Sequence, residues 1–244
     1  MLFDGPVVLP RLAVAQAWEW ERIGPAHPVL GVVDVWVEDD AGERLDELAR
    51  QALAEPGFYD LRARRVTGRF RDLMLAIANA EDECYGWSTD RRGHDRAMLA
   101  VPADRDAVLA IVEDDRLTLE SIKASRLVRA VVECLPDFPA ADIREFSVPK
   151  ADYEPGTTGH PAAEQLRRLM AARREASHQL YVATRADGTR QSSLPLTAVD
   201  TRAHGRVLTY LSQTPEDTLD ITCGPGHPTY ITGTLQNTLD ALRS

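Results

Sequence analysis

Cys223 and His227 stand four residues apart, a spacing at which a thiolate and an imidazole can share one zinc ion. A tetrahedral site would need two more ligands, and Cys84, His160 and His204 are of suitable type. The plainer reading is a core cysteine followed by a loop histidine, and no C-x-x-C argues otherwise. Glu81, Asp82 and Glu83 offer oxygens to a hard cation, but alternation along a strand would send them to opposite faces. His94 and Asp95 are adjacent and so poorly placed to hydrogen-bond each other; the polar loop Asp90 to Asp95 suits an exposed, charged contact. His178 lies in a strand-like run, where a satisfied sheet residue is more common than a base. Gly224-Pro225-Gly226 lacks the third glycine of a dinucleotide loop and reads as a plain turn after a strand. The chain has no G-x-S-x-G, H-E-x-x-H or G-x-x-x-x-G-K-[ST]. These residues give no positive reason for a catalytic, cofactor or metal site.

The elements that would carry them can be read from periodicity. Leu12 to Arg22 predicts a helix with Trp18 and Trp20, and Val32 to Val37 a strand. Asp40 with Glu43 resembles a capping box, opening a helix whose apolar stripe is Leu45, Leu48, Ala49, Ala52 and Leu53. Pro56-Gly57 ends it, and a second helix uses Val66, Phe70, Leu73 and Ile77. Four strands follow, over Glu81 to Ser88, Ala97 to Val101, Ala107 to Glu113 and Leu117 to Ile122, with a turn at Asp114-Asp115. Ser125 opens a helix with Leu127, Val128, Val131, Val132 and Leu135 on one stripe.

The order then recurs. After a short strand, Arg144 to Val148, Pro161 starts a helix where its missing N–H costs nothing. Its buried face is Leu166, Leu169 and Met170. Strands are predicted over His178 to Thr184, Arg190 to Val199, Val207 to Ser212 and Thr218 to Cys223. Asp187-Gly188 makes a tight turn, because glycine accepts φ > 0 without a Cβ clash. A last helix carries Ile231, Leu235, Leu239 and Leu242. Hairpin-length connections favour antiparallel pairing. The expectation is one α+β domain over residues 1–244: an N-terminal half to about 136, a connection over 137–159, and a C-terminal half from about 160.

With 244 residues the chain can bury a full core without metals or disulfides. A net charge of −10 opposes a phosphate backbone, so nucleic acid is not an expected partner. Three scattered cysteines read as reduced thiols of a cytoplasmic protein. Met1 to Gly5 has no basic region before an apolar one, so it is not expected to be a signal peptide, and the longest apolar run, Val29 to Val37, is far below the ~20 residues that span a bilayer.

One series is more specific: Q-L-Y-V-A-T-R from Gln179, D-G-T-R from Asp187, L-P-L-T-A-V-D-T from Leu194 and G-R-V-L from Gly205. It resembles the C-terminal half of the EspG family, chaperones of actinobacterial ESX (type VII) secretion. The matching positions are Gln179, Tyr181, Gly188, Arg190, Leu196, Asp200, Thr201, Gly205 and Arg206. The last strand, Leu219 to Cys223, lacks the aromatic residue common in the family, which would make this a divergent member.

That resemblance implies a central, mostly antiparallel sheet flanked by helical bundles, in two halves related by a pseudo-twofold. It also implies a cytoplasmic chaperone without cofactor or metal, whose clients are PE–PPE-like helical hairpin pairs held at an apolar tip. The family groove, between central sheet and C-terminal bundle, points to Tyr230, Thr234, Leu235 and Thr238 and to Arg91, Arg92 and His94. Gln179, Tyr181, Arg190, Asp200, Thr201, Gly205 and Arg206 are read as fold-forming: Asp200 suits an Asx-type turn, and Arg206 could pair with it. The competing reading is a small-molecule enzyme or ligand-binding α+β protein. A deep pocket around a buried charged pair would favour it, and a shallow apolar groove would favour the chaperone.

Overall fold

The computed structural model describes residues 3–31, 39–154, 156–157, 159–213 and 218–244. The strand expected over Val32 to Val37 lies outside them. The fold is α+β, with helices on a large antiparallel sheet. Two compact units divide the chain: Met1–Tyr85 with Arg96–Val131, and Gly86–Asp95 with Val132–Ser244.

The first unit contains β1 (Val7–Pro10), α1 (Arg11–Trp20), α2 (Asp39–Ala54), the small hairpin β2 (Tyr59–Asp60) and β3 (Arg65–Val66), and α3 (Gly68–Ala78). Then come β4 (Asp82–Asp90), β5 (Asp95–Ala103), β6 (Asp106–Glu113), β7 (Arg116–Ile122) and α4 (Leu127–Glu133). β4, β5 and α4 straddle the division between units. The strands order as β1-β7-β6-β5, and short turns join β5 to β6 and β6 to β7, the latter at Asp114, whose φ is +52°. Phe70, Leu73, Met74 and Ile77 of α3 are buried, and the Phe70 ring stacks on Phe58 at 4.4 Å. Two expectations are corrected. Asp40 lies inside α2, which begins a residue earlier. Leu48 is 64% exposed, because the buried line of α2 runs through Ala49 and Leu53 and leaves Leu48 on its flank.

The second unit contains β8 (Phe146–Pro149), α5 (Pro161–Ala171), β9 (Arg174–Ala186), β10 (Thr189–Ser192), β11 (Leu196–Thr201), β12 (Gly205–Gln213), β13 (Leu219–Pro225) and α6 (Pro228–Leu242). Strand order is β9-β11-β12-β13-β8, with β10 also on β9 and the second half of β4 beside β9. Asp187 and Gly188 both have positive φ, +50° and +77°, the geometry of a two-residue hairpin turn.

The strand expected over Arg190 to Val199 is two strands. Ser192 faces Ala183 and Leu196 faces Leu180, so three residues, Ser193 to Pro195, stand against two on β9. Pro195 has no N–H to give the ladder, and the extra residue is taken up as a bulge. Ser193 bridges it, donating its N–H to the Val182 carbonyl (2.8 Å) and accepting the Val182 N–H at Oγ (3.1 Å).

Register assigns the faces of this sheet. Val148, Val207 and Cys223 pack with Ala163, Leu166 and Leu169 of α5 on one face. On the other, the α6 ring of Tyr230 lies over Gly224, where a Cβ would come within 3.1 Å of it. Ile231, Leu235 and Leu239 are buried, as their helical spacing predicts.

Candidate functional site

On the α6 face, the register of β9, β11 and β12 sets Asp200 opposite Arg206, with His178, opposite Ala198, diagonally beside Asp200, so that the three form a slanted row. All three are 2% exposed or less. Arg206 grips Asp200 with two hydrogen bonds, Nε to Oδ1 at 2.6 Å and an Nη2 to Oδ2 at 2.8 Å. His178 Nε2 meets Asp200 Oδ2 at 3.1 Å, and its Nδ1 meets the Ser88 hydroxyl at 2.8 Å. A carboxylate only accepts, so Nε2–H donates to Asp200 and, in the neutral ring, Nδ1 accepts from Ser88.

A Ser–His–Asp series is also the arrangement that activates a serine in hydrolases. Here the carboxylate charge is already matched by Arg206, and the imidazole has no exposed surface for a substrate to reach. What the row does is hold strands together. Arg206 also donates to the carbonyl of Pro136 at 2.8 Å, and its backbone bonds Pro139 and Ala141. Gly205, at φ +82°, lets that connecting segment pass: a Cβ there would stand 2.7 Å from the Pro139 oxygen. Gly226 makes room in the same way for the Arg206 stem. Thr201 closes the β11–β12 turn, with its hydroxyl bonded to the Gly205 carbonyl (3.3 Å) and accepting the His204 N–H (3.2 Å).

Burial alone would raise the Asp200 carboxyl, but the hydrogen bonds from Arg206 and then His178 outweigh it and hold it below the usual carboxylate range. A carboxyl lowered in the folded state contributes stability above its unfolded value, about 3.9, and loses it as pH falls through the folded value. Unfolding free energy should therefore drop as pH falls below about 4, and Asp200→Asn should flatten that part of the profile. Denaturant melts at stepped pH check it, and identical acid profiles for both proteins would refute the assignment.

The opposite face is more open. Thr197, Thr209, Leu211 and Ile221 are half-buried and surround a hollow of about 280 Å³, which Leu166 and Met170 of α5 bound on one side. On β4 and β9 the half-buried Trp87 and Tyr181 rings meet edge to face, 5.7 Å apart. A second hollow of about 260 Å³ lies in the first unit between α1 and β6–β7, walled by Val14, Trp18, Leu30, Val112 and Leu117. Both fall short of the ~300 Å³ at which small-molecule sites begin, and neither is lined by Ser88, His178 or Asp200. Cys84 and Cys223 are buried, and burial pushes the Cys223 thiol up to about 12. Among the described residues no group of three or more His, Cys, Asp or Glu is placed to hold a metal.

The residues expected to touch a partner fall into two separate networks. Arg91, Arg92 and His94 are exposed in the β4–β5 turn, where Asp90 Oδ1 accepts the N–H groups of Arg92 (2.7 Å) and His94 (3.1 Å). Arg91 reaches Glu175 at 3.2 Å, and Arg202 joins it at 2.7 Å. Tyr230 instead bonds Glu145 and, at 3.3 Å, Tyr210. Thr234 and Thr238 return their hydroxyls to carbonyls one turn back, at 2.9 and 2.8 Å. Leu235 is 1% exposed, so it anchors α6 and is not on the surface. Of the family-pattern residues, Asp200, Thr201, Gly205 and Arg206 build the buried row and its turn. Gln179, exposed, and Tyr181, half-buried, belong to the open face, and Arg190 pairs across the β9–β10 hairpin with Arg185. No sequence signal marked Ser88 or Trp87.

The EspG family model matches residues 10–237. Among solved structures the chain is similar to the type VII secretion system chaperone EspG5 of Mycobacterium tuberculosis, solved in complex with a PE25–PPE41 dimer. Identity is 13%, the match covers 96% of each chain, and the TM-score is 0.66, a likeness of fold. No protein with a curated description matches.

Proposed function

The chain belongs to the EspG family, and from that premise we propose that it is a cytoplasmic type VII secretion chaperone for a PE–PPE-like helical pair. It binds the apolar tip of the PPE-like partner and performs no chemistry of its own. The observation that carries this reading is the half-open sheet face, with Thr197, Thr209, Leu211 and Ile221 around a shallow hollow and the Trp87–Tyr181 ring pair on β4 and β9. An apolar tip exposed in solution invites self-association, and an aromatic, mostly apolar sheet face can cover it. Arg91, Arg92 and His94 stand as its polar contacts. Tyr230, Thr234 and Thr238 of α6, on the other side of the same sheet, are the alternative contact.

Co-expression with a PE–PPE pair from the same organism tests the reading. Wild type should give a soluble complex, and Leu211→Asp should weaken capture at least tenfold, because a charge is forced into an apolar interface. Thr234→Asp should change it little. Loss with Thr234→Asp alone would move the client to the α6 side. Failure of every such pair to bind wild type would overturn the chaperone reading.

A further inference from the structure

The sheet register gathers charge that the sequence scatters. Arg174 faces Thr201 across β9 and β11, so Arg202, in the next turn, lies at the same end of the sheet. Arg91 lies there too, since its N–H donates to the Glu175 carbonyl at 2.8 Å. With Arg92 and Arg173, the β4–β5 turn, the start of β9 and the β11–β12 turn together carry five exposed arginines against three carboxylates, Asp90, Asp95 and Glu175. The chain as a whole has a net charge of −10. All three carboxylates are engaged locally: Glu175 holds Arg91 and Arg202, Asp90 caps its own turn, and Asp95 accepts the Thr89 hydroxyl at 2.6 Å. Arg92, Arg173 and Arg174 border them as exposed cations. Alternation along β9 puts Glu175 on the same face as Gln179 and Tyr181, so the basic end continues the open face.

We propose that this arginine-rich end is an electrostatic docking site for an acidic segment of the client, beside the apolar tip. The proposal rests on the chaperone reading and adds the chemistry the client must present: carboxylates flanking its apolar end. Nucleic acid fits less well, because three carboxylates within the patch and a strongly negative chain oppose phosphates. Exposed rim charges act mainly on the rate of association and its salt dependence, while the apolar contact holds the complex.

The test measures binding of a PE–PPE pair to the full chain at about 50 and 500 mM salt. Wild type should associate more slowly at high salt. Arg174→Glu with Arg202→Glu should lower the association rate about tenfold at low salt, flatten the salt response and leave the melting temperature unchanged. Arg62→Glu, an exposed arginine of the first unit, is the control and should behave as wild type. Salt-independent association, or equal rates for the double variant, would overturn the docking site while leaving client capture intact. Association of wild type with no pair would overturn the chaperone reading and the patch together. A double variant that alters only self-association in light scattering, or only retention on DNA, would likewise overturn it, naming a second copy or nucleic acid as the occupant.

Discussion

Arg206→Leu is expected to cost about 3–5 kcal/mol, a large part of the 5–15 kcal/mol that holds a typical domain folded. The cost is not the lost ion pair alone. Asp200 is 1% exposed, and without the guanidinium its charge stays in the interior with only His178 to share it. The Pro136 carbonyl loses its donor as well. A double variant, Asp200→Leu with Arg206→Leu, should recover part of the loss, because no unpaired charge stays buried, although the His178 Nε2–H and the Pro136 carbonyl still lack their partners. Urea melts of the three proteins decide the matter. A single variant within about 1 kcal/mol of wild type would mean that the row does not bind the strands together.

Gly205→Ala comes next, at about 2–4 kcal/mol from two additive sources. The backbone sits at φ +82°, where a β-carbon is strained, and that carbon would lie 2.7 to 2.9 Å from the main chain of Pro139 and Ala140. Main chain cannot rotate aside as a side chain can. Gly57→Ala has a similar φ, +77°, but open space around it, and so measures the conformational part alone. Equal losses for the two variants would show that close approach contributes nothing.

What could be read from the sequence was local. Asp187-Gly188 announced its turn, Pro161 opened its helix, and the spacing of Ile231, Leu235 and Leu239 gave the buried side of α6. Even the Asp200–Arg206 pair was legible, because six residues around a tight turn place the two opposite each other. The site was not. Ser88 meets His178 across 90 positions, and Arg91, Arg174 and Arg202 converge only once three strands are in register. The place of Tyr230 was hidden for a related reason: its ring fills the gap that Gly224 leaves. Glycines that exist to be approached give no signal until the approaching group is known.

The three-against-two mismatch at Ser193 to Pro195 has an evolutionary consequence. In a regular ladder, losing one residue would turn every following side chain over to the wrong face. Here the surplus residue is already there: with Leu194 gone, two residues would stand against Tyr181 and Val182, and Leu196 would still face Leu180. Leu194, 60% exposed, can be dropped with little loss of packing. Relatives of this chain can therefore differ in length by one residue at this point and keep the same sheet, and a comparison of their sequences should allow its gap there before any other place in β9 to β11.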